Sequence, residues 1–203
     1  MTTNVNSIEE LTALVGAHLG YSEYRTVTQE QVNLFADATQ ETTGVDVAFV
    51  GSGSIRKTEL GPVVTLGDYL AIFPYDDSIT RFIVTGVQLK HAFAGFMRPE
   101  NRNGEGEYYQ VNRSVKAVYD LAKHELVSLT LNGVPVDDSS HYSICLQGYH
   151  YKNSTVGLQL TNEELAQLEQ PRLLATSGRD VVEEYLRNHQ NVSAEVEGRL
   201  QYI

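Results

Sequence analysis

The chain has 203 residues, 41% hydrophobic and 20% charged, enough for one soluble domain with a buried core. A formal net charge of −11 excludes nonspecific binding to nucleic acid polymers or an anionic membrane, although a local arginine can still hold one nucleotide. The single cysteine, Cys145, excludes an internal disulfide framework and a multi-cysteine zinc site, and no run approaches the roughly 18 apolar residues of a membrane span.

Residues 1–43 read as two helices. Ser7 and Glu10 have capping-box spacing, and Ile8, Leu11, Leu14 and Val15 follow at helical period. Thr28 and Gln31 form a second box ahead of Val32, Leu34, Phe35 and Ala38, with Gly44 as the stop. The first six residues carry neither the basic patch nor the apolar run of a signal peptide, so a cytoplasmic location is expected.

Residues 45–50 read as a short buried strand running into Gly51-Ser52-Gly53-Ser54-Ile55-Arg56. The two glycines let the backbone come close to a partner. Such a loop can present N–H groups to an anion, and Arg56 adds a forked donor for a phosphate or hydroxyl pair. The alternative is a plain tight turn with a surface arginine.

Thr65 and Asp68 start a short helix that must stop near Pro74, and Thr85 with Gln88 caps another bearing Leu89, Ala92, Phe93 and Phe96. Residues 98–107 form a polar loop. Strands follow at 115–119 and 126–131, and Asn132-Gly133 ahead of Val134 marks a hairpin. A strand over 141–151 leads into a tyrosine-rich loop, where Tyr149, His150 and Tyr151 face either a ligand or only alternate sides of an edge strand. Thr161 begins a short helix, Ser177 with Asp180 caps the last one, and 197–202 reads as a closing strand. Cys145, between Ile144 and Leu146, is expected to be an inert core thiol. The irregular mixture predicts an α+β fold with a mixed sheet and flanking helices. The six histidines are scattered without metal-ligand spacing, and Asp76-Asp77 and Asp137-Asp138 sit where turns favour aspartate, so no metal or other cofactor is expected in this chain.

Several segments together resemble the C-terminal, substrate-binding domain of 5′-nucleotidases. They are Thr43 through Arg56, Gly61 through Asp68, Ile72 through Asp77, Val84 through Lys90, Tyr109-Gln110-Val111, Val118-Tyr119-Asp120 and Val196 through Leu200. Their order and spacing run over residues 33–203. The resemblance implies that this domain binds a nucleoside or nucleotide, while a metallophosphatase domain or chain supplies two divalent metals and performs hydrolysis. By position it makes Arg56 the loop arginine that contacts the ligand and Tyr75 the aromatic that stacks on the base, with Gly51, Ser52 and Gly53 lining the loop. The second stacking aromatic of the family is replaced by Leu158 or a shifted tyrosine. Gln147 through Tyr151 is similar to a bacterial branch of the family, which implies Tyr149 and Tyr151 as ligand contacts.

Ahead of Asn33 the family's arginine position falls near Val27. Residues 5–39 instead resemble the start of MaoC-like dehydratases of the hot-dog fold, through Asn6 to Leu11, Leu19 to Ser22 and Thr28 to Thr39, but without that family's catalytic aspartate and histidine. The expected organisation is a helical segment over 1–32 and a nucleotidase-like domain over 33–203. The expected function is nucleotide binding without hydrolysis by the chain alone. The alternatives are an enoyl-thioester hydratase remnant or a non-catalytic interaction module.

Overall fold

The computed structural model describes residues 29–56, 65–101, 107–189, 192 and 195–203. The expected helix over 7–15, Val27 and the Thr28 cap lie outside the described residues. Within them α1 (Gln29–Thr43), β1 (Val47–Gly51), α2 (Leu66–Ile72), β2 (Ile79–Thr85), α3 (Gly86–Phe96) and β3 (Tyr109–Val111) come first. Then follow β4 (Val115–Asp120), β5 (Glu125–Leu131), β6 (Val134–Pro135), β7 (His141–Gln147), α4 (Gly148–Lys152), α5 (Ser154–Gly157) and α6 (Asn162–Leu165). β8 (Arg172–Ala175), α7 (Gly178–Asn188) and β9 (Leu200–Tyr202) close the chain.

Among the described residues the strands form two sheets, in the orders β3-β1-β7-β2-β8 and β6-β5-β4-β9. β1 is parallel to β7 but antiparallel to β3, and β4 is parallel to β9 but antiparallel to β5. Mixed sheets with helices on their faces are the α+β class that the irregular element order predicts.

Every residue of β1 is buried, which is why it reads as an unbroken apolar run. Its period of two divides the core. Val47 and Phe49 point into the space between the sheets with Phe93 and Phe96 of α3 and Val115 and Ala117 of β4. Val50 joins Phe35, Ile72 and Val182, from α1, α2 and α7, on the other face.

The local signals hold where the chemistry is local. Thr65, Thr85 and Thr161 each accept the N–H three residues on, and Asp68, Gln88 and Glu164 reach back, closing three capping boxes. Ser177 accepts from the Asp180 N–H in the same way. Gly44 takes φ +69° and donates to the Gln40 carbonyl at 2.8 Å, ending α1. Asn132 and Gly133, at φ 51° and 78°, form the hairpin turn. Cys145 is buried, and burial pushes its thiol up to about 12, so it is inert.

Three expectations need correction. The strand from His141 stops at Gln147, and residues 148–152 are helical. There the Gly148 N–H bonds the Ser78 carbonyl at 2.9 Å and the Tyr149 N–H bonds Asp77 Oδ2 at 3.3 Å, turning the chain out of the sheet. The closing strand starts only at Leu200, because Arg199 is drawn into a buried ion cluster. β8 has no counterpart among the elements expected from sequence: it is a short edge strand whose half-exposed residues leave no alternating pattern.

Candidate functional site

β1 and β7 run side by side in the same direction, so they finish together, at Gly51 and Gln147. β3 and β2 run the opposite way and begin at that edge, with Tyr109 opposite Gly51 and Ile79 opposite Gln147. The topology therefore gathers four segments at one end of the sheet: 52–56, 73–78, 107–108 and 148–151.

Arg56 and Tyr75 meet there. The Arg56 N–H donates to the Ile72 carbonyl at 2.9 Å, and its guanidinium lies 5.3 Å from the centroid of the Tyr75 ring. A cation over a ring at this range is worth about 0.5–1 kcal/mol at an exposed site. The segment carrying Tyr75 is fixed from both sides. Pro74 accepts from Arg179 Nη2 at 3.2 Å, and Asp76 Oδ1 accepts from Ser177 Oγ at 2.7 Å. The Asp77 carbonyl accepts from the Gly178 N–H at 2.7 Å. The backbone is held while the ring stays out: Tyr75 is 56% exposed, enough to present a face to a ligand.

The glycine loop is built differently from the expected anion cradle. Four of its N–H groups already have acceptors: Ser52 bonds the Tyr108 carbonyl at 2.9 Å, Gly53 bonds Glu107 Oε1 at 3.2 Å, Ile55 bonds Ser52 at 3.4 Å, and Arg56 bonds Ile72. The anion on the loop is the protein's own Glu107. Burial raises the pKa of this carboxyl, against the smaller opposing pull of the Gly53 N–H and the Arg56 charge.

Gly51 is required by the same packing. A Cβ placed there would lie 2.2 Å from His150 Cε1 and 2.4 Å from Glu107 Oε1, whereas one on Gly53 would meet Glu107 at an ordinary 3.5 Å. Gly51→Ala is therefore expected to cost about 1–3 kcal/mol through overpacking. Gly53→Ala should stay within about 0.5 kcal/mol of the parent. Urea unfolding of both variants checks this, and equal stability of the two would contradict it.

His150 lies beneath the loop. It is buried, and burial lowers its pKa to about 4, so the ring is neutral at pH 7. Its Nε2 is 3.4 Å from Ser54 Oγ, and its Nδ1 is 3.4 Å from the Tyr109 hydroxyl. This is not a nucleophile and base. Ser54 gives its proton to Gln147 Oε1 at 2.8 Å, and among the described residues no carboxylate hydrogen-bonds the imidazole. The cluster is a scaffold that holds the loop.

Of the remaining expected residues, Ser52 sits in the 3-10 turn at 52–54 and Tyr149 stands exposed on α4, its backbone tied to Asp77. Tyr151 points away, with its ring 4.8 Å from Phe82 against the main core. Leu158 is fully buried in that core and cannot offer a stacking face. Tyr149 is thus the tyrosine available on that side. Glu107 and the pairing of Ser54 and Gln147 with His150 are not among the expected contacts, although His150 itself belongs to the tyrosine-rich cluster that the sequence singles out. The usable signal for Glu107 is its place two residues before Tyr109, the strand residue paired with Gly51. Among the described residues no three His, Cys, Asp or Glu side chains gather where they could share a metal ion, so these residues do not fit a di-metal centre. None of the described helices is long and apolar enough to cross a membrane.

The family model described as the 5′-nucleotidase C-terminal domain matches residues 11–162. A 5′-nucleotidase precursor from Thermus thermophilus superposes with a TM-score of 0.70 at 20% identity, covering 86% of this chain and 35% of that one. Haemophilus influenzae NAD nucleotidase gives 0.68 at 15% identity, covering 85% and 32%. The Thermus thermophilus sulfate thiohydrolase SoxB gives 0.63 at 19%, covering 96% and 38%. At these identities the likeness is one of fold, and the chain spans about a third of the length of these neighbours. No curated protein matches the chain. The MaoC-like resemblance is carried by none of these findings.

Proposed function

We propose a nucleoside-binding role on one premise: the chain belongs to the 5′-nucleotidase C-terminal domain family. The observation that carries the proposal is the exposed Tyr75 ring, held beside the Arg56 guanidinium at the edge where the glycine loop ends. A fixed aromatic face next to a forked cation suits a planar base carrying a polar sugar and phosphate. The fold by itself does not choose this ligand, because one neighbour of the same fold is a sulfate thiohydrolase. The side chains at the sheet edge are what support it.

Hydrolysis in this reading belongs to a metallophosphatase domain or partner with its two divalent metals. The residues here bind and orient the nucleotide, and the described ones include no donor set for such a centre. The isolated chain is expected to retain adenosine and AMP in equilibrium dialysis, yet to release no phosphate from AMP or UMP with manganese or zinc present. Turnover that persists through repurification would overturn the division of labour. Failure to retain either ligand would overturn the binding role.

A further inference from the structure

We infer that Glu107 receives the sugar hydroxyls of the bound nucleoside and bars a phosphate from the glycine loop. This assignment rests on the nucleoside-binding reading above and deepens it. Glu107 reaches the loop from the start of β3, and its Oε1 accepts the Gly53 N–H at 3.2 Å. Among the described residues that is the one hydrogen bond this carboxylate accepts, whereas a carboxylate has roughly four acceptor positions. Both carboxylate oxygens lie beside the loop, 3.5 Å from where a Cβ on Gly53 would stand.

Arg56 links the two ends of the site. It follows the turn whose Gly53 N–H holds Glu107, and its guanidinium lies over Tyr75. Aromatic face, cation and carboxylate therefore stand along one loop, which is the order base, then sugar, that a nucleoside lying across them would follow. A carboxylate with open acceptor positions takes hydroxyl donors through charge-assisted bonds and repels a phosphate. Among the described residues the Ser52, Gly53, Ile55 and Arg56 N–H groups are committed to protein acceptors, so the loop backbone does little to offset that repulsion. The 5′-phosphate of a nucleotide must then point away from the loop, and a phosphate on the 2′ or 3′ oxygen is rejected.

The test is calorimetry at pH 8 on the full chain and on Glu107→Gln, with adenosine, 2′,3′-dideoxyadenosine and adenosine 3′-phosphate. Glutamine keeps an acceptor for Gly53 and removes the charge. Glu107→Gln should weaken adenosine about three- to tenfold and leave dideoxyadenosine within about twofold, as expected when a charged acceptor becomes neutral. It should also strengthen adenosine 3′-phosphate, a gain that damage to the fold cannot produce. Unchanged affinity for adenosine and its 3′-phosphate would overturn the assignment while leaving the nucleoside reading intact. Equal weakening of all three ligands would reduce Glu107 to a support for the loop and overturn the assignment too. If the parent chain bound none of them, both readings would fall.

Discussion

Asp37→Ala is expected to remove about 3–5 kcal/mol of stability, the range for stranding one partner of a buried ion pair. Asp37 sits on α1 with its side chain 7% exposed, facing an Arg199 that is 2% exposed. Oδ1 accepts from Arg199 Nη1 at 2.9 Å and from the Arg113 N–H at 2.8 Å. Oδ2 accepts from Arg199 Nη2 at 2.8 Å and from Arg113 Nη2 at 3.0 Å. Arg199 also donates to the Val111 carbonyl at 2.7 Å and to Glu197 at 2.8 Å. One carboxylate thus ties α1 to the edge strand β3 and to the segment entering β9. Without it the arginine stays buried with, among the described residues, only the half-exposed Glu197 as counterion. A domain of this size has about 5–15 kcal/mol in total, so the loss is a large fraction. Urea unfolding measures it, and a change below about 1 kcal/mol would show that Arg199 finds water or another partner. Replacing both Asp37 and Arg199 by apolar residues of similar volume should recover part of the loss, because the pair's desolvation cost disappears with it.

The second large effect is on binding. Tyr75→Ala is expected to weaken adenosine by about five- to a hundredfold, since base–aromatic stacking is worth roughly 1–3 kcal/mol and each 1.4 kcal/mol is tenfold. Tyr75→Phe should change affinity little, because the ring makes the stack and the hydroxyl does not. The alanine variant should stay folded, as the side chain is 56% exposed and its segment is held through Pro74, Asp76 and Asp77. Titration with adenosine and AMP, beside circular dichroism, separates the two effects. Equal affinity of the alanine variant would make Tyr75 a surface residue of a structural turn.

What could be read from the residues alone follows the distance over which each feature is determined. The capping boxes at Thr65, Thr85 and Thr161 and the Asn132-Gly133 turn are set within three or four residues, and the structure forms them as expected. β1 is legible because burial on both faces makes all five of its residues apolar or glycine. The end of β7 is not, because Asp77 and Ser78, about 70 positions away in sequence, turn the chain into α4. The Asp37–Arg199 pair spans 162 positions and leaves no local mark.

The site divides in the same way. Arg56 and Tyr75 are identifiable from the motifs that carry the family resemblance, and the structure brings them together. Glu107 reaches Gly53 only through the register of β3 against β1, which places Tyr109 opposite Gly51. The glycines are legible as a close approach, but the approaching groups at Gly51 are His150 and Glu107 of the protein itself.

The most direct test of a nucleoside-binding role is a titration of the isotopically labelled chain with adenosine, followed through its backbone amide resonances. Saturable shifts are predicted at Gly53, Arg56, Tyr75, Glu107 and Tyr149, the residues gathered where β1 and β7 end, with the β5–β6 hairpin around Val127 and Val134 unmoved. No shift at millimolar adenosine, or shifts confined to residues away from that edge, would contradict it.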